Sequence, residues 1–133
     1  MVDITIREYG DELLAMDDDA SFIIHKVGDE LWKSLIEDGT NEVGYCLTFI
    51  YIDPSVVSEI IAKIPCDLRV IKIKTVDYSS NKILKIPKML FLREIDTGSI
   101  LSISTECASN LTDLSCENID TLEEYVSYDE CCD

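Results

Sequence analysis

The sequence holds no uninterrupted apolar run of the ~18 residues that a membrane-spanning helix needs, so no such span is expected. It has one histidine, and none of its six cysteines forms a Cys-X-X-Cys pair, which removes zinc-finger spacings and the dithiol of thiol–disulfide exchange. Basic residues are scarce. Eleven Lys and Arg stand against 27 Asp and Glu, for a formal net charge of −16. Nonspecific nucleic-acid binding is driven by cationic surface, so a DNA or RNA binder is not expected. The opening Met1-Val2-Asp3-Ile4 has no basic stretch leading into an apolar one, so the expectation is a cytoplasmic protein with reduced thiols.

What is present is enough for one globular domain. The chain has 133 residues, 47% of them apolar. Its charge is uneven. Residues 1–20 hold seven acids and one base, residues 106–133 hold nine acids and no base, and residues 63–93 hold eight bases and two acids. Acidic ends around a basic middle fit oriented protein binding better than uniform mimicry of a polyanion. The plain alternative is that the ends keep a small protein soluble.

The hydrophobic pattern predicts an α/β order. Residues 1–20 mix apolar pairs with acids; part reads as helix and Asp17-Asp18-Asp19 as loop. Residues 21–27 read as a short strand. Residues 29–36 carry Leu31, Trp32, Leu35 and Ile36 at helical spacing. Residues 44–52 are almost continuously apolar, the pattern of a strand in a parallel sheet. Asp53-Pro54 stops that strand and opens a helix whose stripe is Val56, Val57, Ile60, Ile61 and Ile64. Residues 68–76 alternate, with Ile71 and Ile73 on one side and Lys72 and Lys74 on the other. The resulting βαβαβ order implies parallel pairing. Residues 89–95 and 100–104 read as a hairpin around Asp96-Thr97-Gly98-Ser99, and residues 119–126 as a closing helix.

That order, together with Ile86-Pro87-Lys88-Met89-Leu90-Phe91-Leu92, resembles the thioredoxin-like fold: a central mixed sheet with helices on both faces. In that fold a cis-proline precedes the fourth strand, which the resemblance assigns to Pro87. The redox dithiol of the family sits where this chain has Asp53, Pro54, Ser55 and Val56, so no thiol stands at the helix N-terminus to be activated. The segments Gly28-Asp29-Glu30-Leu31-Trp32, Thr97-Gly98-Ser99-Ile100-Leu101-Ser102-Ile103 and Asn118-Ile119-Asp120-Thr121-Leu122-Glu123-Glu124-Tyr125-Val126-Ser127-Tyr128 are similar to phosducin and the phosducin-like proteins, over about residues 20–128. The resemblance implies an acidic N-terminal extension (1–20), a thioredoxin-like domain (21–128) and an acidic tail (129–133). It also implies a redox-inactive adaptor without cofactor or metal, partnered by the cytosolic chaperonin or G-protein βγ. Only about 20 residues stand where that family has a long βγ-binding region, so the chaperonin role is the closer expectation.

Candidate contact residues are Lys72 and Lys74 on one strand face, with Lys82, Lys85, Lys88 and Arg93 nearby in sequence; the alternative is a solvated face. Trp32 and His25 read as packing residues. Two other functions stay open. One is a divergent thiol oxidoreductase using Cys46, Cys66 or the Cys131–Cys132 pair. The other is an acidic inhibitor that imitates nucleic acid.

Overall fold

The computed structural model describes residues 1–17, 23–76 and 82–122. Strands β1 (Val2–Tyr9), β2 (Glu12–Asp17) and β3 (Ile23–Lys26) lead to helix α1 (Asp29–Glu37) and a 3-10 turn over Gly39–Glu42. Then come β4 (Tyr45–Ile50), α2 (Pro54–Ala62), β5 (Val70–Val76), β6 (Ile83–Lys85), β7 (Glu94–Asp96) and β8 (Ile100–Ser104). Helix α3 (Thr105–Ser109), β9 (Asp113–Ser115) and β10 (Asn118–Leu122) follow.

The molecule is α/β, built on a mixed seven-stranded sheet in the order β3-β2-β1-β4-β5-β7-β9. β1, β4, β5, β7 and β9 run parallel; β2 and β3 add antiparallel strands beside β1. A second sheet, β10-β8-β6, is wholly parallel. From β5 onward the strands alternate between the two sheets. β5, β7 and β9 stack in the first, and β6, β8 and β10 in the second. The chain is therefore wound as a coil of roughly 20 residues per turn, as in solenoid proteins.

One apolar core lies between the layers. In the first sheet Ile4, Leu47, Ile73, Ile95 and Leu114 stand in one cross-strand row, and all but Leu114 are buried. From the other layer come Leu31, Trp32 and Leu35 of α1, Val57, Ile60 and Ile61 of α2, and Leu84, Leu101 and Ile103 of the second sheet. Helix α2 lies beside β6 and closes its edge: the Ser58 hydroxyl accepts the Lys85 N–H at 2.9 Å. Both helices thus cover the same face of the large sheet as the small sheet does.

The expected α1, β4, α2 and β5 form where the pattern placed them. Four expectations are corrected. Residues 1–17 are not an extension: β1 is interior to the sheet, and its Ile4 and Ile6 join the core. Among the described residues helices cover one face of the sheet, not both. No hairpin joins residues 89–95 to 100–104. Thr97 and Ser99, read as part of a tight hairpin turn, are buried. The Thr97 hydroxyl accepts the Ser99 N–H at 3.1 Å and bonds the Thr75 hydroxyl of the preceding coil. The Thr97 N–H bonds Ser115 of the next coil. This is a corner that sends β8 into the other sheet. Residues 118–122, expected to start the closing helix, form β10 instead. The edge of β8 has backbone groups to satisfy, and pairing outweighs the helical spacing of Ile119 and Leu122. Tyr125, Val126 and the tail at 129–133 lie outside the described residues.

Gly44, just before β4, sits at φ +98°, and a Cβ there would come within 2.5 Å of Ile71 Cγ1. Ile71 is the extra residue of a bulge in β5, since Tyr45 pairs with Val70 and Cys46 with Lys72. Gly44→Ala is expected to lower unfolding stability by about 1–3 kcal/mol. The loss should appear as a lower urea midpoint with unchanged slope. Gly10→Ala, at φ +63° with open space around it, should cost less.

Candidate binding surface

Wholly parallel arrays usually bury both sheet faces, because their crossovers run over each. Here, among the described residues, the crossovers from β4 onward run on one side, and the outward face of the large sheet carries two largely polar rows beside the apolar Ile50–Val76 pair. Cross-strand register lines them up. Asp3, Cys46, Lys72, Glu94 and Asp113 form one row. Thr5, Thr48, Lys74, Asp96 and Ser115 form the next, with Met16 extending it onto β2. Most of these residues are half-buried against one another, while Asp113 and Ser115 at the margin are exposed. The rows run from neutral Thr and Cys on β4, through two lysines on β5, to acids on β7 and β9.

Lys72 Nζ lies 3.8 Å from Glu94 Oε1, with the two side chains 26% and 30% exposed. A loose pair in that setting holds the side chains upright and contributes at most about 1 kcal/mol. Cys46 is 5% exposed between Asp3 and Lys72. Burial pushes its thiol above the usual range; the Thr48 hydroxyl and Lys72 oppose that, and Asp3 adds to it. It is a poor nucleophile.

The other residues singled out in the sequence fall elsewhere. Lys82 and Lys85 flank β6 in the second sheet, on the far side of the core from Lys72 and Lys74. Lys85 is exposed, and Lys88 is half-buried in the segment after β6. The six bases that are close in sequence are therefore not one patch. Arg69 leaves them too, stacking its guanidinium 4.7 Å from the Phe91 ring centre.

Asp53, Pro54, Ser55 and Val56 do open α2, as expected. Asp53 caps the helix, accepting the Ser55 N–H and Ser55 hydroxyl, each at 2.9 Å, on Oδ1. Its Oδ2 lies 3.6 Å from Lys82 Nζ. Pro54 is the first helical residue, and Val56 packs against the core. The bonds from Ser55, then Lys82, hold the Asp53 carboxyl below its ordinary range. Such a cap locks the helix start; it leaves no thiol where exchange chemistry would need one. Among the described residues no peptide bond is cis, so Ile86–Pro87 is trans. Pro87 follows β6, where the Ile86 N–H is already taken by Ser102, and the chain leaves the sheet without needing a cis turn. Cys66 is half-buried beyond α2, and Cys131 and Cys132 lie outside the described residues. Trp32 is in the core.

The surface rows were only partly foreseen. Lys72 and Lys74 were read correctly as sharing a face. Asp3, Thr5 and Arg7 alternate with Ile4 and Ile6 in the sequence, a strand signal that the acid-rich context hid. Glu94, Asp96 and Asp113 sit on three-residue strands, too short to show alternation. No protein-family model, no curated protein and no solved structure matches the chain. What the geometry defines is an α/β domain that presents the open face of a largely parallel sheet.

Two measurements check this account of the site. Cys46 in the native protein should react with iodoacetamide at neutral pH far more slowly than in denaturant, read by peptide mass mapping. Asp53 has a folded pKa below its unfolded one. Its stabilising contribution is therefore complete above the ordinary carboxylate range and lost as pH falls through the lowered folded value. The urea-midpoint gap between wild type and Asp53→Ala should be widest near neutrality and close in acid.

Proposed function

We propose that this chain is a non-catalytic protein-binding module whose contact surface is the outward face of the seven-stranded sheet. The observation that carries this reading is the pair of in-register, half-buried polar rows, with Lys72 and Lys74 at their centre, that no other described element covers on a sheet type that is ordinarily covered. Flat rows of mixed charge give a partner both orientation and register. A protein surface with complementary alternation of acid and base suits them better than nucleic acid, which would meet Asp3, Glu94, Asp96 and Asp113. Buried Cys46 and the Asp53 cap at the start of α2 support binding over thiol chemistry. The narrower reading, a co-chaperone of the cytosolic chaperonin or a modulator of G-protein βγ, is carried by the phosducin resemblance alone. Its cis-proline, hairpin and closing helix are not among its supports.

The test compares affinity capture by the wild type, by Lys72→Glu/Lys74→Glu and by the control Lys82→Glu/Lys85→Glu. The charge change is the same in both variants, and their folding is checked by circular dichroism. Species held by the wild type and by the control but lost from the Lys72/Lys74 variant are the expected result. Equal retention by both variants would refute the assignment of this face. Recovery of chaperonin subunits or G-protein β among the lost species would favour the narrower reading.

A further inference from the structure

The two ends of the coil are built differently. At its start, β5 is paired by β4, and the edge of β6 is closed by α2 through the Ser58 hydroxyl. At its other end, among the described residues, no strand pairs with the outer edge of β9. In a stacked coil each turn buries the apolar row of the one before it, and the last turn needs a cap. Among the described residues Leu114 has none. It occupies the same row as Ile73 and Ile95, which are 0% and 1% exposed, yet it is itself 39% exposed.

The backbone tells the same story. Asp113 donates its N–H to Arg93, and Ser115 accepts the N–H of Thr97, so both residues direct their peptide groups toward β7. In a parallel ladder the residue between them directs its N–H and C=O the opposite way. Leu114 therefore offers one donor, one acceptor and an apolar side chain along a single edge. Acids predominate at this margin, with Lys72 paired to Glu94 one strand further in. Asp113 is exposed on β9, Glu94 and Asp96 stand beside it on β7, and Glu117 follows. Residues 106–133 hold nine acids and no base.

We propose that the edge of β9 is a strand-addition site for an extended segment of a partner protein in which Lys or Arg alternates with apolar residues. An apolar side chain of such a segment continues the row of Ile95 and Leu114. Its basic neighbours stand beside Asp113 and Ser115 at a cross-strand Cβ separation of about 5 Å. Backbone pairing supplies part of the affinity and the alternation supplies the selectivity. A second copy of this chain is a poor occupant, because each copy brings a formal charge of −16. The site shares Asp113 and Ser115 with the margin of the outward face proposed above, but it engages a partner through the backbone edge of β9 and not through that face.

The test uses the full chain and a fluorescent acetyl-Lys-Val-Lys-Val-Lys-Val-Lys peptide, with anisotropy read at about 0.15 M ionic strength. Saturable binding is expected. Two further peptides carry the same charge, one N-methylated at its valines and one at its lysines. An added strand uses only one of its two edges, so one of these should lose about tenfold in affinity and the other should bind as the parent does. Asp113→Lys should weaken the parent peptide severalfold, whereas Glu30→Lys, an equal charge change on α1, should not. No binding, or equal effects of the two N-methylations, would overturn the proposal, the latter by showing charge attraction alone. So would a concentration-dependent dimer in sedimentation that Asp113→Lys abolishes, since the edge would then belong to a second copy.

Discussion

Everything in this structure depends on one cross-strand row: Ile4, Leu47, Ile73, Ile95 and Leu114, held in register by parallel pairing. A parallel strand cannot return to its neighbour by a tight turn, so each addition to the row needs a crossover that travels through another layer. The crossovers must bury something on the way. After β4 it is α2; after β5 and β7 it is a strand of the second sheet. Among the described residues these crossovers share one side, giving a thick, continuous core and leaving the opposite sheet face bare.

The bare face is what makes the molecule a candidate binder. Side chains on a strand alternate strictly, so the residues that share no part in the core fall into rows whose spacing is set by the ladder. Asp3, Cys46, Lys72 and Glu94 become neighbours although they are far apart in the chain. The corner at Thr97 and Ser99 protects this order. Its hydroxyl and amide bonds tie one coil to the next, so the rows cannot slip without leaving buried polar groups unsatisfied.

Sequence reading succeeded where an element carries its own evidence and failed where a neighbour decides. The stripe of α2 and the capping Asp53-Pro54 pair are local signals, and both stand. The alternation of Lys72 and Lys74 against Ile73 is local too. Ile71 is different: it was grouped with Ile73, but the bulge opposite Tyr45 takes it out of the buried row. Thr97-Gly98-Ser99 has the composition of a hairpin turn, and its composition says nothing of the Thr75 hydroxyl waiting beside it. Ile119 and Leu122 keep helical spacing, yet β8 recruits them. The thioredoxin-like order was inferred in part from these two segments, and both were settled by contacts across the chain.

The sequence by itself determined the α/β class, the two amphipathic helices, the buried β4 and β5, and a helix start with no thiol. Each follows from periodicity or capping chemistry within a few residues. Only the tertiary structure decided that residues 1–17 belong to the sheet, that the C-terminal half winds as a coil, and that Lys72 and Lys74 part from Lys82 and Lys85 to opposite sides of the core. Those outcomes turn on which backbone edges find partners. Hydrogen bonding between distant strands leaves no mark on local composition.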